Sequence, residues 1–410
     1  MGVKIAEIGR QDTAADCFIH LEIREKGGLD IDLKSKVASM YSSSIKTLVQ
    51  EMMSFFSIDN AYIHIEDSGT LPFVLSARIE GVIKKLFLEQ SGNPDLAGPD
   101  KKPEFISPII NQNLFPVARD KIRRSRLYVP GDQSRFIINA GLYSPDAIIL
   151  DLEDAVAPAE KYGTRFIVRN TLREVDFFGA ERMVRINQLP MGLEDLEFIV
   201  GHGVHTILIP KCETADQVKE IEARIQELRT ERKIGQEIYL MPIIESALGI
   251  VNAYQIAMAS PNNIALTIGL EDYTADIGAE RTKEGKESLL ARQSIVTAAR
   301  AAKVQPIDSV FSDIGDIEGL KRNVLESKSL GFEGMGCIHP NQIRVIHENF
   351  APTQKEIDKA KRIVLALEEA QKKGLGVVAL GTKMIDPPVV KRAEKILKLA
   401  IQSGIISDIL

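Results

Sequence analysis

The stretch Ala147-Ile148-Ile149-Leu150-Asp151-Leu152-Glu153-Asp154 decides the fold. A short apolar run that stops abruptly in acidic residues reads as a strand buried on both faces, with its functional end marked by the charges. The same unit of apolar strand, polar terminus, loop and helix recurs at Arg126–Val129, Met183–Ile186, Thr206–Ile209, Ile238–Ile243, Ile264–Ile268, Ile307–Phe311 and Gly336–Ile338. With Ala147–Leu150 that makes eight strands separated by helices, which predicts an α/β (β/α)8 TIM barrel. The alternative is an open doubly wound sheet, which usually carries a glycine-rich phosphate turn after its first strand. The sequence has no G-x-G-x-x-G, no G-x-x-x-x-G-K-[ST] and no G-x-S-x-G. That speaks against a nucleotide-fold dehydrogenase, a P-loop enzyme and a serine hydrolase.

A barrel builds its active site at the C-terminal ends of its strands. Taken in order, those ends carry Asp151, Glu153 and Asp154; Arg185 and Asn187; Lys211; Glu245 and Ser246; Glu271 and Asp272; Ser312 and Asp313; and His339. Glu245 and Asp272 follow consecutive strands. Two carboxylates plus water are the usual protein contribution to Mg²⁺, and a bound Mg²⁺ polarises an oxygen-rich substrate. Arg185 suits a substrate carboxylate, because its fork donates two parallel hydrogen bonds. The set points to chemistry on a keto or hydroxy acid. The competing reading is that these charges only close loops as ion pairs. His339, between Ile338 and Pro340, reads as a packing histidine, and Cys337 as a small core residue.

Upstream of the barrel, Pro94, Pro99, Pro103, Pro108 and Pro116, with Gly92 and Gly98, break regular structure. The chain therefore divides into a module at 1–93, a proline-rich linker at 94–120, and a barrel at 121–410 that ends in a helical extension. In the module, Cys17–Ile23, Leu29–Leu33 and Tyr62–Ile65 read as strands. Ser35–Phe56 and Ser76–Phe87 carry helical apolar stripes. The module is expected to be a small α+β domain.

Composition bounds the rest. Of 410 residues, 44% are hydrophobic and 26% charged, which excludes a disordered chain. The balance of 51 basic against 57 acidic residues leaves −6, so neither nucleic acid nor an anionic membrane is an expected partner. No apolar run approaches a membrane span, and the first residues lack a secretory signal pattern. Cys17, Cys212 and Cys337 form no C-x-x-C pair, which fits a reducing cytoplasm. The six histidines include no H-E-x-x-H, so any metal is expected to be a hard cation.

Several motifs resemble a known family. Arg124-Ser125-Arg126-Leu127-Tyr128-Val129-Pro130-Gly131 is similar to the R-S-x-L-F-V-P-G opening of the citrate lyase beta subunit and its malyl-CoA and citramalyl-CoA lyase relatives, of the HpcH/HpaI aldolase type. Leu150–Val156, Arg185-Ile186-Asn187, Ile209-Pro210-Lys211, Ile244-Glu245-Ser246, Gly269–Tyr273, Cys337–Pro340 and Lys383–Val390 match the same family in order. The resemblance implies a (β/α)8 barrel that uses Mg²⁺ to cleave a 3-hydroxyacyl thioester into a keto acid, such as oxaloacetate, and an acyl thioester. It implies that Glu245 and Asp272 hold the metal and Arg185 the keto acid. Arg124 and Lys211 would bind the acyl thioester or its carrier, and Glu153 and Asp154 would support the metal's waters. It further implies that Asp386 is donated by a neighbouring subunit, hence a homo-oligomer, trimer-based in the relatives, with an alpha-type transferase subunit as a further partner.

The module resembles the citrate lyase acyl carrier (gamma) subunit through Ile65–Leu71, Ala77–Glu80 and Gly9. That subunit attaches its CoA-derived prosthetic group to a serine in G-T-L-E-S-S-D. Here the segment reads Gly9-Arg10-Gln11-Asp12-Thr13-Ala14-Ala15-Asp16, with Ala14 and Ala15 at the serine positions. Alanine cannot form the phosphodiester, so either the tether is lost or Thr13 carries it. Three readings follow: a citryl-type lyase acting on a tethered thioester, a lyase on free malyl-, citramalyl- or citryl-CoA with a relic carrier, or a non-catalytic scaffold subunit.

Overall fold

The computed structural model describes residues 4–91, 103–372, 378–380 and 383–407. The module begins with β1 (Lys4–Gly9), a strand the sequence reading did not include, then β2 (Cys17–Ile23), β3 (Leu29–Ser35), α1 (Ala38–Phe55), β4 (Ala61–Asp67) and α2 (Pro72–Ser91). Its sheet order is β1-β2-β4-β3, with only β3 and β4 parallel. Alternation explains the packing. Ala61, Ile63 and Ile65 of β4 are buried, and the residues between them face outward.

The barrel strands are β5 (Ser125–Pro130), β6 (Ala147–Asp151), β7 (Glu181–Arg185), β8 (Thr206–Ile209), β9 (Tyr239–Ile244), β10 (Ala265–Ile268), β11 (Gln305–Asp308) and β12 (Gly334–Cys337). They pair in parallel and close in the order β10-β11-β12-β5-β6-β7-β8-β9. Outside them lie α3 (Ser134–Ile137), α4 (Lys161–Glu174), α5 (Met191–Ile199), α6 (Ala215–Glu231), α7 (Ala247–Met258), α8 (Leu270–Asp276), α9 (Leu289–Ala301), α10 (Ile317–Leu330) and α11 (Asn341–Phe350). One apolar core lies between strands and helices, and a second, with Ala147, Ile149, Met183, Leu208, Met241 and Ile307, fills the lumen. The chain ends in α12 (Gln354–Lys372), a hairpin of β13 (Val378–Leu380) and β14 (Lys383–Ile385), and α13 (Pro387–Gln402) packed on α12.

β11 departs most from its apolar pattern, which runs from Ile307 to Phe311. β11 ends at Asp308, because that carboxylate turns outward to Arg292 of α9 at 2.6 Å and takes the Ser309 N–H at 2.9 Å. Ser309 therefore reaches the mouth. Ser312 and Asp313 lie in the following loop, where Asp313 accepts the Gly315 N–H.

The module is seated on the barrel through α2, which is buried on two sides. Leu75, Ile79, Val82 and Ile83 face the module core, while Phe73, Val74 and Ala77 join the barrel core beside α4. Buried ion pairs flank this contact: Arg169 of α4 with Glu80, and Arg78 with Asp16 and Glu160. The described part of the proline-rich segment is also pinned. Asn113 is buried and donates to the Leu172 and Val175 carbonyls at 3.1 and 2.9 Å. Among the described residues no helix is long and apolar enough to cross a membrane.

Candidate active site at the barrel mouth

Glu245 is the first residue beyond β9. Its carboxylate accepts the Lys211 N–H at 3.0 Å and is 6% exposed. It can lie against the end of β10 because Gly269 stands there; a Cβ at Gly269 would overlap the Glu245 carboxylate. Burial, helped by the nearby Asp272 and Glu153 charges, pushes the Glu245 carboxyl up to about 7. Asp272 sits in the first turn of α8 and is half-buried.

Lys211 stands between these acids. Its backbone is in the left-handed region, φ 44°, which an L side chain adopts only when its surroundings enforce it. Its ammonium lies 3.6 Å from Glu153, 3.7 Å from Asp154 and 3.6 Å from Asp272. Partial burial works against its charge, but Glu153, Asp154, Asp272 and Glu245 outweigh it and raise its pKa.

Arg185, at the end of β7, is clamped. Nε and Nη2 donate to Asp151 at 2.7 and 2.6 Å, and Nη1 lies 2.8 Å from Glu153. Its guanidinium carbon stands 5.3 Å from the Tyr128 ring centroid. For Asp151 the ion-pair reading is therefore correct. A guanidinium has five N–H donors, so two on Arg185 lie outside these contacts, and the residue lines the mouth cavity.

Asp151, Arg185, Glu245 and Asp272 line a cavity of about 300 Å³ together with Arg126, Tyr128, Thr267 and Ser309, and Glu153, Asp154 and Lys211 stand beside these groups. Asp151, Glu153, Asp154, Glu245 and Asp272 outnumber Arg126, Arg185 and Lys211, and this acidic surplus suits a cation. Among the described residues no group of three or more His, Cys, Asp and Glu side chains is set to close around a metal. Glu245 and Asp272 instead fit a hard cation that completes its shell with water and substrate oxygens.

The structure thus brings Glu153, Asp154, Arg185, Lys211, Glu245 and Asp272 together. It does not bring Arg124 or Asp386 to them. Arg124 precedes β5, on the closed face, about six residues or roughly 20 Å of strand below Pro130. There it pairs with Asp146 through Nε and Nη2, both at 2.9 Å. That is the correction to its expected role on the thioester: its height on the strand, not its charge, was misjudged. Asp386 is exposed and caps α13 by accepting the Val389 N–H at 3.2 Å. Arg126, which the sequence reading did not include among its candidates, lines the same cavity. The available signal was the two-residue step from Arg126 to Tyr128 and again to Pro130, which points all three side chains into the lumen. His339 caps the following helix, its Nδ1 accepting the Asn341 N–H at 3.2 Å.

A closed parallel barrel with an acidic, arginine-clamped mouth defines the class: an α/β-barrel protein built for oxygen-rich anionic substrates and a cation. Residues 124–340 match the family described as HpcH/HpaI aldolase/citrate lyase, and the chain belongs to that family. Residues 11–86 match the acyl carrier family described as malonate decarboxylase delta subunit. The chain is 43% identical over 290 residues to a citrate lyase subunit beta of Haemophilus influenzae, spanning 70% of this chain and 99% of that one. It is 34% identical over 290 residues to the mitochondrial citramalyl-CoA lyase of Mus musculus, spanning 68% and 86%. Among solved structures, CitE from Mycobacterium tuberculosis with magnesium, acetoacetate and coenzyme A superposes with a TM-score of 0.57 at 29% identity, covering 70% of this chain and all of the other.

Proposed function

We propose that the chain is a Mg²⁺-dependent carbon–carbon lyase that splits a 3-hydroxyacyl-CoA into an oxo acid and an acyl-CoA. The observation that carries the reading is the convergence of Glu245 and Asp272 on Lys211 beside the clamped Arg185. Relatives named citrate lyase and citramalyl-CoA lyase, and a solved relative holding magnesium and coenzyme A, support it. Glu245 and Asp272 would hold the cation. When bound there, Mg²⁺ supplies Lewis-acid stabilisation of charge developing on the substrate oxygens.

The chain's own groups do the rest. Arg185, fixed by Asp151 and Glu153, offers its two remaining N–H donors to the oxo-acid carboxylate without reorganising. Lys211 and Glu153 hold the acidic groups in register. The hydroxyl gives up its proton, the carbon–carbon bond breaks, and its electron pair passes to the carbon beside the thioester, which takes up a proton. Asp386 of a neighbouring copy is the proposed proton carrier, which makes the active form a homo-oligomer.

The thioester travels on free CoA rather than on the chain. Ala14 and Ala15 offer no hydroxyl, and the loop around them is anchored at the mouth, with Arg10 bound to the Asp132 carboxylate at 2.8 Å and to its carbonyl at 2.8 Å. A panel of citryl-, malyl- and citramalyl-CoA, with and without Mg²⁺, tests the reading. Mg²⁺-dependent release of oxaloacetate, glyoxylate or pyruvate supports it, and inactivity on all three overturns it. Intact-mass measurement of the chain reports any attached carrier group.

A further inference from the structure

Among the described residues, Arg126 is the cavity-lining cation without a carboxylate partner. It is fully buried in the barrel lumen. Nη1 donates to the Thr267 hydroxyl and to the Met241 sulfur, each at 3.0 Å, and Nε and Nη2 have no partner. Among the described residues no carboxylate pairs with it, whereas Arg185 has two. Arg123, just below, is satisfied by Glu181 at 2.8 Å. An isolated buried guanidinium is strongly disfavoured unless an anion completes it. Arg126 also lines the same cavity as Glu245, Asp272 and Arg185, so an anion can reach it only as part of whatever occupies the mouth.

We propose that Arg126 is a specificity-determining residue that receives a second carboxylate on the oxo-acid half of the substrate. This rests on the lyase reading above and deepens it. The oxo-acid carboxylate beside the reacting carbonyl falls to the cation and Arg185 near the rim. A carboxymethyl arm on that carbonyl carbon, as in oxaloacetate, extends toward the floor and meets the buried, unpartnered Nε and Nη2 edge of Arg126, a fork matched to a carboxylate. A methyl group, as in pyruvate, or a hydrogen, as in glyoxylate, leaves that edge unanswered. Sites built to pair a buried polar group discriminate strongly against ligands that leave it bare.

The test uses the full chain with Mg²⁺ and two measurements. In the first, calorimetry compares oxaloacetate with pyruvate. The wild type is expected to bind oxaloacetate at least tenfold more tightly; equal binding, tighter pyruvate binding, or binding of neither overturns the proposal, and none of these depends on a variant folding. In the second, kcat/KM is measured on citryl-CoA and citramalyl-CoA for the wild type, Arg126→Lys and Arg126→Met. The citryl preference is expected to fall by on the order of 10²-fold in Arg126→Met, with Arg126→Lys between. An equal loss on both thioesters assigns Arg126 a merely structural role and overturns the proposal. If no thioester is cleaved, the lyase reading fails, while the calorimetric comparison still decides the carboxylate site.

Discussion

The Arg169 guanidinium closes on the Glu80 carboxylate through two hydrogen bonds, 2.6 and 3.0 Å, with neither side chain exposed. One residue belongs to the barrel helix α4 and the other to the module helix α2. A carrier that swings would not bury such a pair, since separation exposes and rehydrates both charges. In the structure the module is thus seated on the barrel through buried charges. Glu80→Gln, which leaves the guanidinium only the longer Glu104 contact at 3.3 Å and the Asn170 amide oxygen, is expected to cost about 3 kcal/mol. The double variant Glu80→Leu/Arg169→Met removes both charges and should recover much of that loss. Chemical denaturation of the wild type, Glu80→Gln and the double variant makes the comparison.

The close approach of Gly269 to Glu245 gives a second test. In Gly269→Ala the new methyl meets the Glu245 carboxylate, and overpacking of this kind costs about 1–3 kcal/mol of stability. Its effect on the reaction should be larger, because the carboxylate must leave the place from which it would hold the cation. Both Gly269→Ala and Glu245→Gln are expected to lower kcat/KM by about 10²-fold or more, given several kcal/mol of Lewis-acid stabilisation. Both should also weaken Mg²⁺ binding, read by titration of the metal against activity and by calorimetry.

Asp386 makes no contact with its own mouth residues among those described; it caps α13. The C-terminal half of α13 lies on the closed face, where Lys398 meets Asp120 at 2.8 Å. A catalytic Asp386 must then act in another copy. Asp386→Asn and Glu245→Gln should each be inactive by about 10²-fold or more alone. Mixing the two after dissociation and reassembly should restore a measurable share of wild-type turnover, because some mouths then combine a native Glu245 with a native Asp386. No recovery in reassembled oligomers would remove Asp386 from the site.

The barrel was legible because parallel strands buried on both faces leave continuous apolar runs, as at Ala147–Leu150, and because a charge at each run's end marks the mouth. Glu153, Asp154, Arg185, Lys211, Glu245 and Asp272 are candidates by that rule, and the structure places them beside one another. What failed was height along a strand. Arg124 and Arg126 differ by two residues and by the face of the barrel they serve, and the motif that contains both does not say which reaches the mouth. β11 slipped for a related reason: apolar Val310 and Phe311 resume after Asp308 and Ser309, and only the bond of Asp308 to Arg292 shows where the strand stops. β1 was overlooked because Ile5, Glu7 and Ile8 are not fully buried, so their alternation is weak. The seating of the module was invisible, since Arg169 and Glu80 are 89 residues apart in sequence.

Acid stability gives the last test. His205 is buried beneath the barrel, where Nδ1 accepts the Arg182 N–H at 3.0 Å and Nε2 donates to the Phe115 carbonyl at 2.9 Å. These bonds fix a neutral ring. Burial, with the Arg182, Lys121 and Arg123 charges, pushes its pKa down to about 3 from an ordinary value of 6.5. The folded state thus refuses a proton that the unfolded chain accepts below pH 6.5. Linkage then fixes the sign: the contribution is fully present above the unfolded value and is lost as pH falls towards the folded one. The slope is about 1.4 kcal/mol per pH unit for one such group. His202, also held neutral by burial and the nearby Arg169, Arg173 and Arg232, acts in the same direction. His205→Gln keeps an acceptor and a donor but does not titrate. It should lower stability at pH 7.5 modestly and flatten the loss between pH 6 and 4 by about one proton's slope. Urea denaturation at half-unit pH steps measures this directly; an unchanged slope would mean that His205 protonates equally in both states.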